Sequence, residues 1–236
     1  MSAVTAIAKK ELLTYFRSPI AYLIIIVMTA IFNIFFFIIA DDNRETSLQE
    51  VFQAMEFMFV FLLPILTMKL LAEEKSAGTM EFLMTAPISN GAIVLGKYLG
   101  IVALFSVLVI TTLVYYAIVE YFGNPDRLTL FSGYVGIWLE GAFFIAVGLL
   151  ASSWTRHQIV AAMISYLILF LVYFSHSLAP YFSGTAQSVI VYLSTRTHLD
   201  HFVAGMITAG DVVYYLSGIV VCLMLTRLSL ENRLWH

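Results

Sequence analysis

Six apolar runs, most of them long enough to cross a bilayer, constrain this chain more than anything else in it. They cover about residues 20–40, 51–71, 93–119, 130–152, 159–179 and 212–227. A helix needs roughly 20 mostly apolar residues to span the hydrocarbon core, and only the last run falls short. Of the 236 residues, 61% are hydrophobic and 11% charged, with a mean hydropathy of +0.93. Soluble domains are about 45–50% apolar and about 25% charged. A soluble fold of this size has no interior large enough to hide so much apolar surface. A β-barrel would need alternating segments of about 10 residues, whereas these runs are continuous. The expected fold is therefore an all-α polytopic membrane protein, with six transmembrane helices in one domain over 1–236.

Ahead of the first span, residues 2–18 place Val4, Ala8, Leu12, Tyr15 and Phe16 on one helical face, with Lys9, Lys10, Thr14 and Arg17 off it. That pattern predicts an amphipathic helix lying in the membrane surface. Ser18-Pro19 then supplies a cap and a first-turn proline for the next helix. The first apolar run is too long for the core of a cleaved signal peptide, and Ile38-Ile39-Ala40 lacks a small residue three positions before the cut. Pro64 predicts a kink in the second span. Residues 180–211 mix Pro, Gly, Ser and Thr with short apolar patches, none long enough to cross, and predict interfacial or re-entrant helices outside the membrane. Cys222, the single cysteine, excludes an intrachain disulfide.

Orientation follows from the basic residues. Lys9, Lys10, Arg17, Lys69, Lys75, Lys97, Arg156, Arg227 and Arg233 fall on one side, and only Arg44, Arg127 and Arg196 on the other. Positive residues favour the cytoplasmic face, so both termini and the loop at 72–91 are expected there.

That loop is a polar island between two spans. Within it Gly78 and Pro87 bracket Thr79 to Thr85, where Met80, Phe82, Leu83 and Met84 stand beside Glu73, Glu74 and Glu81. A simple connection has no use for four large apolar side chains. A short helix that docks into a groove on another protein does, since apolar contacts supply affinity and flanking charges set orientation. The alternative is a face resting on the lipid interface. Gly91 to Tyr98 has the G-x-x-x-x-G-K outline of a phosphate-binding loop, but Tyr98 stands where a magnesium-holding Ser or Thr belongs, and no strand precedes it. The better reading is the start of a helix, with Lys97 snorkelling to the interface and Gly96 and Gly100 forming a packing face. His198, Asp200 and His201 do not complete a metal site by themselves. Asn33, Glu56, Glu140 and His176 lie inside apolar spans. A charged group near the bilayer centre costs roughly 2.5–3.5 kcal/mol on insertion scales, so these residues either line a polar pathway or fix helix packing.

Lys9 to Leu12 with Tyr15 to Pro19, the stretch Glu73 to Ser89, and Gly96-Lys97 resemble the permease subunit of ABC-2 type transporters. His201 to Gly205 with Asp211 to Ser217 is similar to the branch associated with gliding motility, although Ala209-Gly210 departs from its pattern. The resemblance implies two permease subunits, alike or sister, each docking a cytoplasmic ATPase subunit through a coupling helix. Here that helix maps to about Gly78 to Pro87, with residues 2–18 as the interface helix beside it. It implies residence in the bacterial inner membrane and no catalysis by this chain, ATP and magnesium being held by the ATPase. The gliding branch adds an accessory membrane subunit with a large external domain; no nucleic-acid partner is expected. Two other classes fit the residues alone: an ion-coupled transporter using Glu56 and Glu140, and a membrane scaffold that recruits a cytoplasmic partner.

The charge asymmetry makes a direct prediction. A fluorescent protein fused after His236 should fluoresce, and alkaline phosphatase inserted within 180–211 should be active. The reverse pattern would invert the topology.

Overall fold

The computed structural model describes residues 2–43, 48–81, 88–122 and 125–231, and all of its regular structure is helical. Helix α1 (Ala3–Arg17) opens at Ser2, whose hydroxyl accepts from the Thr5 amide at 3.3 Å. It closes at Ser18, in extended conformation, and Pro19 begins α2 (Pro19–Asn43) with its fixed φ. The axis turns by 75° between Ala3–Arg17 and Tyr22–Ile38. There follow α3 (Gln49–Thr67), α4 (Lys69–Ser76), α5 (Asn90–Phe122), α6 (Arg127–Trp154) and α7 (Gln158–Leu178). A single turn at Ala179–Tyr181 leads to α8 (Thr185–Leu193) and α9 (Thr195–Val203), and the described chain ends with α10 (Ala209–Glu231).

Five described helical segments are long and apolar enough to cross a membrane: Gln49–Ser76, Asn90–Phe122, Arg127–Trp154, Gln158–Tyr181 and Ala209–Glu231. The bent pair at the N-terminus makes a sixth if it counts as one span. The protein is thus an all-α polytopic membrane protein. Its outward surface agrees, since Leu23, Ile26, Ile34 and Phe37 of α2, Met163, Leu167 and Leu171 of α7, and Val220, Val221 and Met224 of α10 are all exposed. The second span outruns its expected end. It breaks at Met68, four residues after Pro64, and resumes as α4 to Ser76, so the island at 72–91 starts as helix. Residues 180–211, too short anywhere to cross, fold as α8 and α9 against the ends of α6 and α7.

Helix α6 is the hub. In its apolar stretch 89% of residues are buried, against 33% for α7 and 22% for α10. Asp126 caps it, accepting from the Leu128 amide at 3.0 Å and the Thr129 hydroxyl at 2.8 Å, and these bonds hold its carboxyl below the usual range. Small residues then let its neighbours close in. Gly133 receives the ring of Phe52 from α3, Gly141 the ring of Phe105 from α5, Gly148 the side chain of Thr67, and Gly136 that of Phe202 from α9. A methyl group at any of these would overlap its partner. Inside a bilayer, where lipid matches the apolar side chains, such close approach supplies the packing that holds helices together.

Filling these notches should therefore destabilise the bundle. Gly141→Val should cost about 1–3 kcal/mol through overpacking. Gly210→Ala, at a position where the nearest outside atom is Thr208 Oγ1 at 3.9 Å, should be neutral or mildly stabilising. Thermal unfolding in detergent, followed by a thiol probe at the buried Cys222, would rank the two variants.

Candidate functional site at the basic end of the bundle

One end of the bundle gathers most of the basic residues. Its centre is Lys97, on the second turn of α5. The expectation that Lys97 snorkels to the interface is not met: its side chain is 2% exposed. It reaches Glu11 of α1 at 2.8 Å and Glu74 of α4 also at 2.8 Å. The reason is steric. Gly96 and Gly100 let α1 lie directly on α5, Ile7 and Val4 against the first and Glu11 and Ala8 against the second. With the backbones in contact, the lysine is covered before it can reach water, and two carboxylates replace its hydration shell.

The docked face of α1 runs through Ile7 and Glu11, with Val4, Ala8, Leu12, Tyr15 and Phe16 half-buried beside it. Lys9, Lys10 and Arg17 are exposed. The Tyr15 hydroxyl donates to the Leu66 carbonyl at 3.0 Å, which pins the end of α1 to α3. Lys75, on the buried side of α4, donates to the Ser153 carbonyl at the end of α6. Ser229 of α10 donates to that same carbonyl at 3.2 Å. These bonds tie together the ends of α1, α3, α4, α6 and α10 and the start of α5 at this face.

Beyond α4 the chain turns at Gly78, where a φ of +70° favours glycine. Helix resumes at Thr79 to Glu81. Met80 is buried in the core, while Gly78, Thr79, Glu73 and Glu81 are exposed. Phe82, Leu83, Met84 and Pro87 lie outside the described residues. Between α1 and α4 is a cleft of about 370 Å³, lined by Lys10, Thr14, Tyr15, Lys69, Glu73 and Thr79 among others. Glu11, Glu74 and Lys97 form its floor. It presents charges of both signs beside the Gly78 turn.

The four polar residues expected within the spans separate into two places. Asn33 accepts from the Tyr115 hydroxyl at 2.8 Å and so joins α2 to α5. Glu56 of α3 and Glu140 of α6 are both fully buried and come near each other, under α9. His176 meets Thr197 of α9 at 3.3 Å. The His198-Leu199-Asp200-His201 run divides its polar groups: Asp200 accepts from Gln53 at 3.3 Å, whereas both histidines turn to Asp211 of α10. His198 meets Asp211 through Nδ1 at 2.6 Å and the Tyr192 carbonyl through Nε2 at 2.9 Å. Among the described residues no group of three His, Cys, Asp or Glu is placed to hold a metal.

The model of the ABC-2 family of transporter proteins matches residues 5–206, most of the chain. The chain belongs to that family. It is a membrane-spanning subunit of the ABC-2 transporter type and is not itself catalytic. No curated protein sequence matches it. The ABC-2 match covers α1, the Lys97 ion triad and the cleft together, and extends through α9.

Removing the lysine should expose how much the basic end depends on it. Lys97→Met leaves two carboxylates facing apolar surroundings and should cost about 3–5 kcal/mol. Adding Glu11→Gln and Glu74→Gln to the same chain should recover most of that loss, as judged by thermal unfolding in detergent.

Proposed function

We propose that this ABC-2 subunit is driven from its basic end by a separate ATPase, which it uses to export or release a substrate. The observation that carries this reading is the Lys97 triad. It makes α1, α4 and the start of α5 a single unit directly beside the Gly78 turn. A push delivered to residues 79–87 would be transmitted through α4 and Lys97 into α5, and through Lys75 into the ends of α6 and α10. Exposed Lys9, Lys10, Arg17, Glu73, Thr79 and Glu81 supply polar contacts for the ATPase, and Phe82, Leu83 and Met84 its apolar ones. Met80 steadies the turn from within.

On this reading two copies, or this chain and a sister, pair across the membrane with two ATPase subunits that hold ATP and magnesium. The basic end faces the cytoplasm of a bacterial inner membrane, both termini included. The gliding-motility branch, with its accessory subunit, rests on His201 to Gly205 and Asp211 to Ser217.

Phe82→Glu with Leu83→Glu should abolish co-purification of the ATPase while the chain still inserts and remains folded. Retained co-purification would remove the docking role of residues 79–87.

A further inference from the structure

Glu56 and Glu140 lie far from the basic end and take no part in the proposed coupling. Both are fully buried and close enough to interact with each other, yet none of their four carboxyl oxygens makes a hydrogen bond of good geometry among the described residues. A third orphan stands beside them. The Thr195 hydroxyl, first residue of α9, is buried and within reach of Glu140, again without a hydrogen bond of good geometry. Buried polar atoms are satisfied in the great majority of cases, so a cluster of unsatisfied oxygens asks for an explanation.

The charges around the pair do not balance. Arg196 of α9 faces Glu56 and is the nearby cation; Asp200, also on α9, faces both glutamates. Three carboxyls thus share one guanidinium. Among the described residues, the other elements bring phenols to the pair, Tyr173 of α7 and Tyr214 and Tyr215 of α10. Two of those are already committed, Tyr214 donating to the Leu193 carbonyl at 2.7 Å and Tyr215 to the Thr195 carbonyl at 3.0 Å. Asp200 is engaged by Gln53. What is left is a buried, oxygen-rich point where α3, α6 and α9 meet.

We infer that Glu56 and Glu140 form a binding site for one monovalent cation, either a proton or an alkali-metal ion, beneath α9. Carboxylate and hydroxyl oxygens suit both. Its occupant bridges α3 and α6 while Arg196 and Thr195 bring α9 down on the pair. Lifting α9 carries off both the Asp200 charge, which favours a bound cation, and the Arg196 charge, which opposes one, so cation occupancy and α9 position are linked. This holds whether or not an ATPase docks at the other end.

Infrared difference spectroscopy of the full chain in lipid nanodiscs tests it. Spectra are recorded while pH is varied in choline chloride, and again while sodium or potassium replaces choline at fixed pH. If the occupant is a proton, a carboxylic-acid carbonyl band appears on acidification and is absent from Glu56→Gln and from Glu140→Gln. If it is an alkali ion, a carboxylate stretching band shifts with sodium or potassium, again only when both glutamates are present. Either outcome supports the site and names the ion. Bands that move identically in the wild type and in the double glutamine variant would overturn it. So would a wild-type spectrum with no response to alkali ion and, on acidification, no carbonyl band at the high frequency of an acid in apolar surroundings, a result that needs no variant to fold.

Discussion

Close approach to α6 is the constraint that the remaining helices obey. Lipid is as apolar as leucine, so burying leucine between two helices gains little over leaving it in the bilayer. Contact between backbones gains more, and it requires small residues. Gly133, Gly136, Gly141 and Gly148 provide it on several sides of one helix, each taking a side chain from a different neighbour or a different level. The long polar-ended side chains then work at the periphery of this hub. Tyr98 donates to the Ala142 carbonyl at 3.2 Å, Tyr134 to the Thr112 carbonyl at 2.7 Å, and Tyr166 to the Phe61 carbonyl at 2.7 Å. Such bonds fix helix register without placing charge in the membrane.

Charge is concentrated at two levels instead, and the two differ in kind. At the basic end Lys97 is matched by Glu11 and Glu74, a pairing in which each partner is covered but answered. Buried ion pairs contribute little net stability over apolar packing, yet losing one partner is severe. The effect is a joint that resists being pulled apart, located where the proposed ATPase would push. Away from it Glu56 and Glu140 are covered and only partly answered, by Arg196, while His198, His201 and Thr208 converge on Asp211 and fasten α9 to α10. A stiff joint on one side and an incompletely neutralised one on the other suit a molecule that receives force at its first face and changes shape at its second.

Much of this was legible in the residues, because membrane helices are specified by composition over long windows. The apolar runs locate the crossing helices, the face of residues 2–18 gives α1, and Gly96 with Gly100 marks a packing surface. Boundaries were less legible: Ala72 to Ser76 is polar and yet continues the second span, since tertiary contacts such as Lys75 to Ser153 hold it as helix. Partners distant in sequence were not legible at all. Lys97 and Glu11 are 86 positions apart, and nothing local predicts that a glycine-paved helix surface would bury the lysine between two acids. The same holds for Asp211, which completes the histidine pair from 10 and 13 positions away across a turn.

The central claim, that a nucleotide-hydrolysing partner sits on the face made by α1 and the Gly78 turn, is tested most directly by site-specific photocrosslinking in intact cells. A photoreactive residue would replace Lys10 or Glu81, both exposed on that face. Adducts containing an ATP-binding subunit, formed from both positions and absent when the probe replaces Tyr181 at the opposite end, are the predicted result. Adducts to lipid alone, or to the same protein from all three positions, would contradict the account.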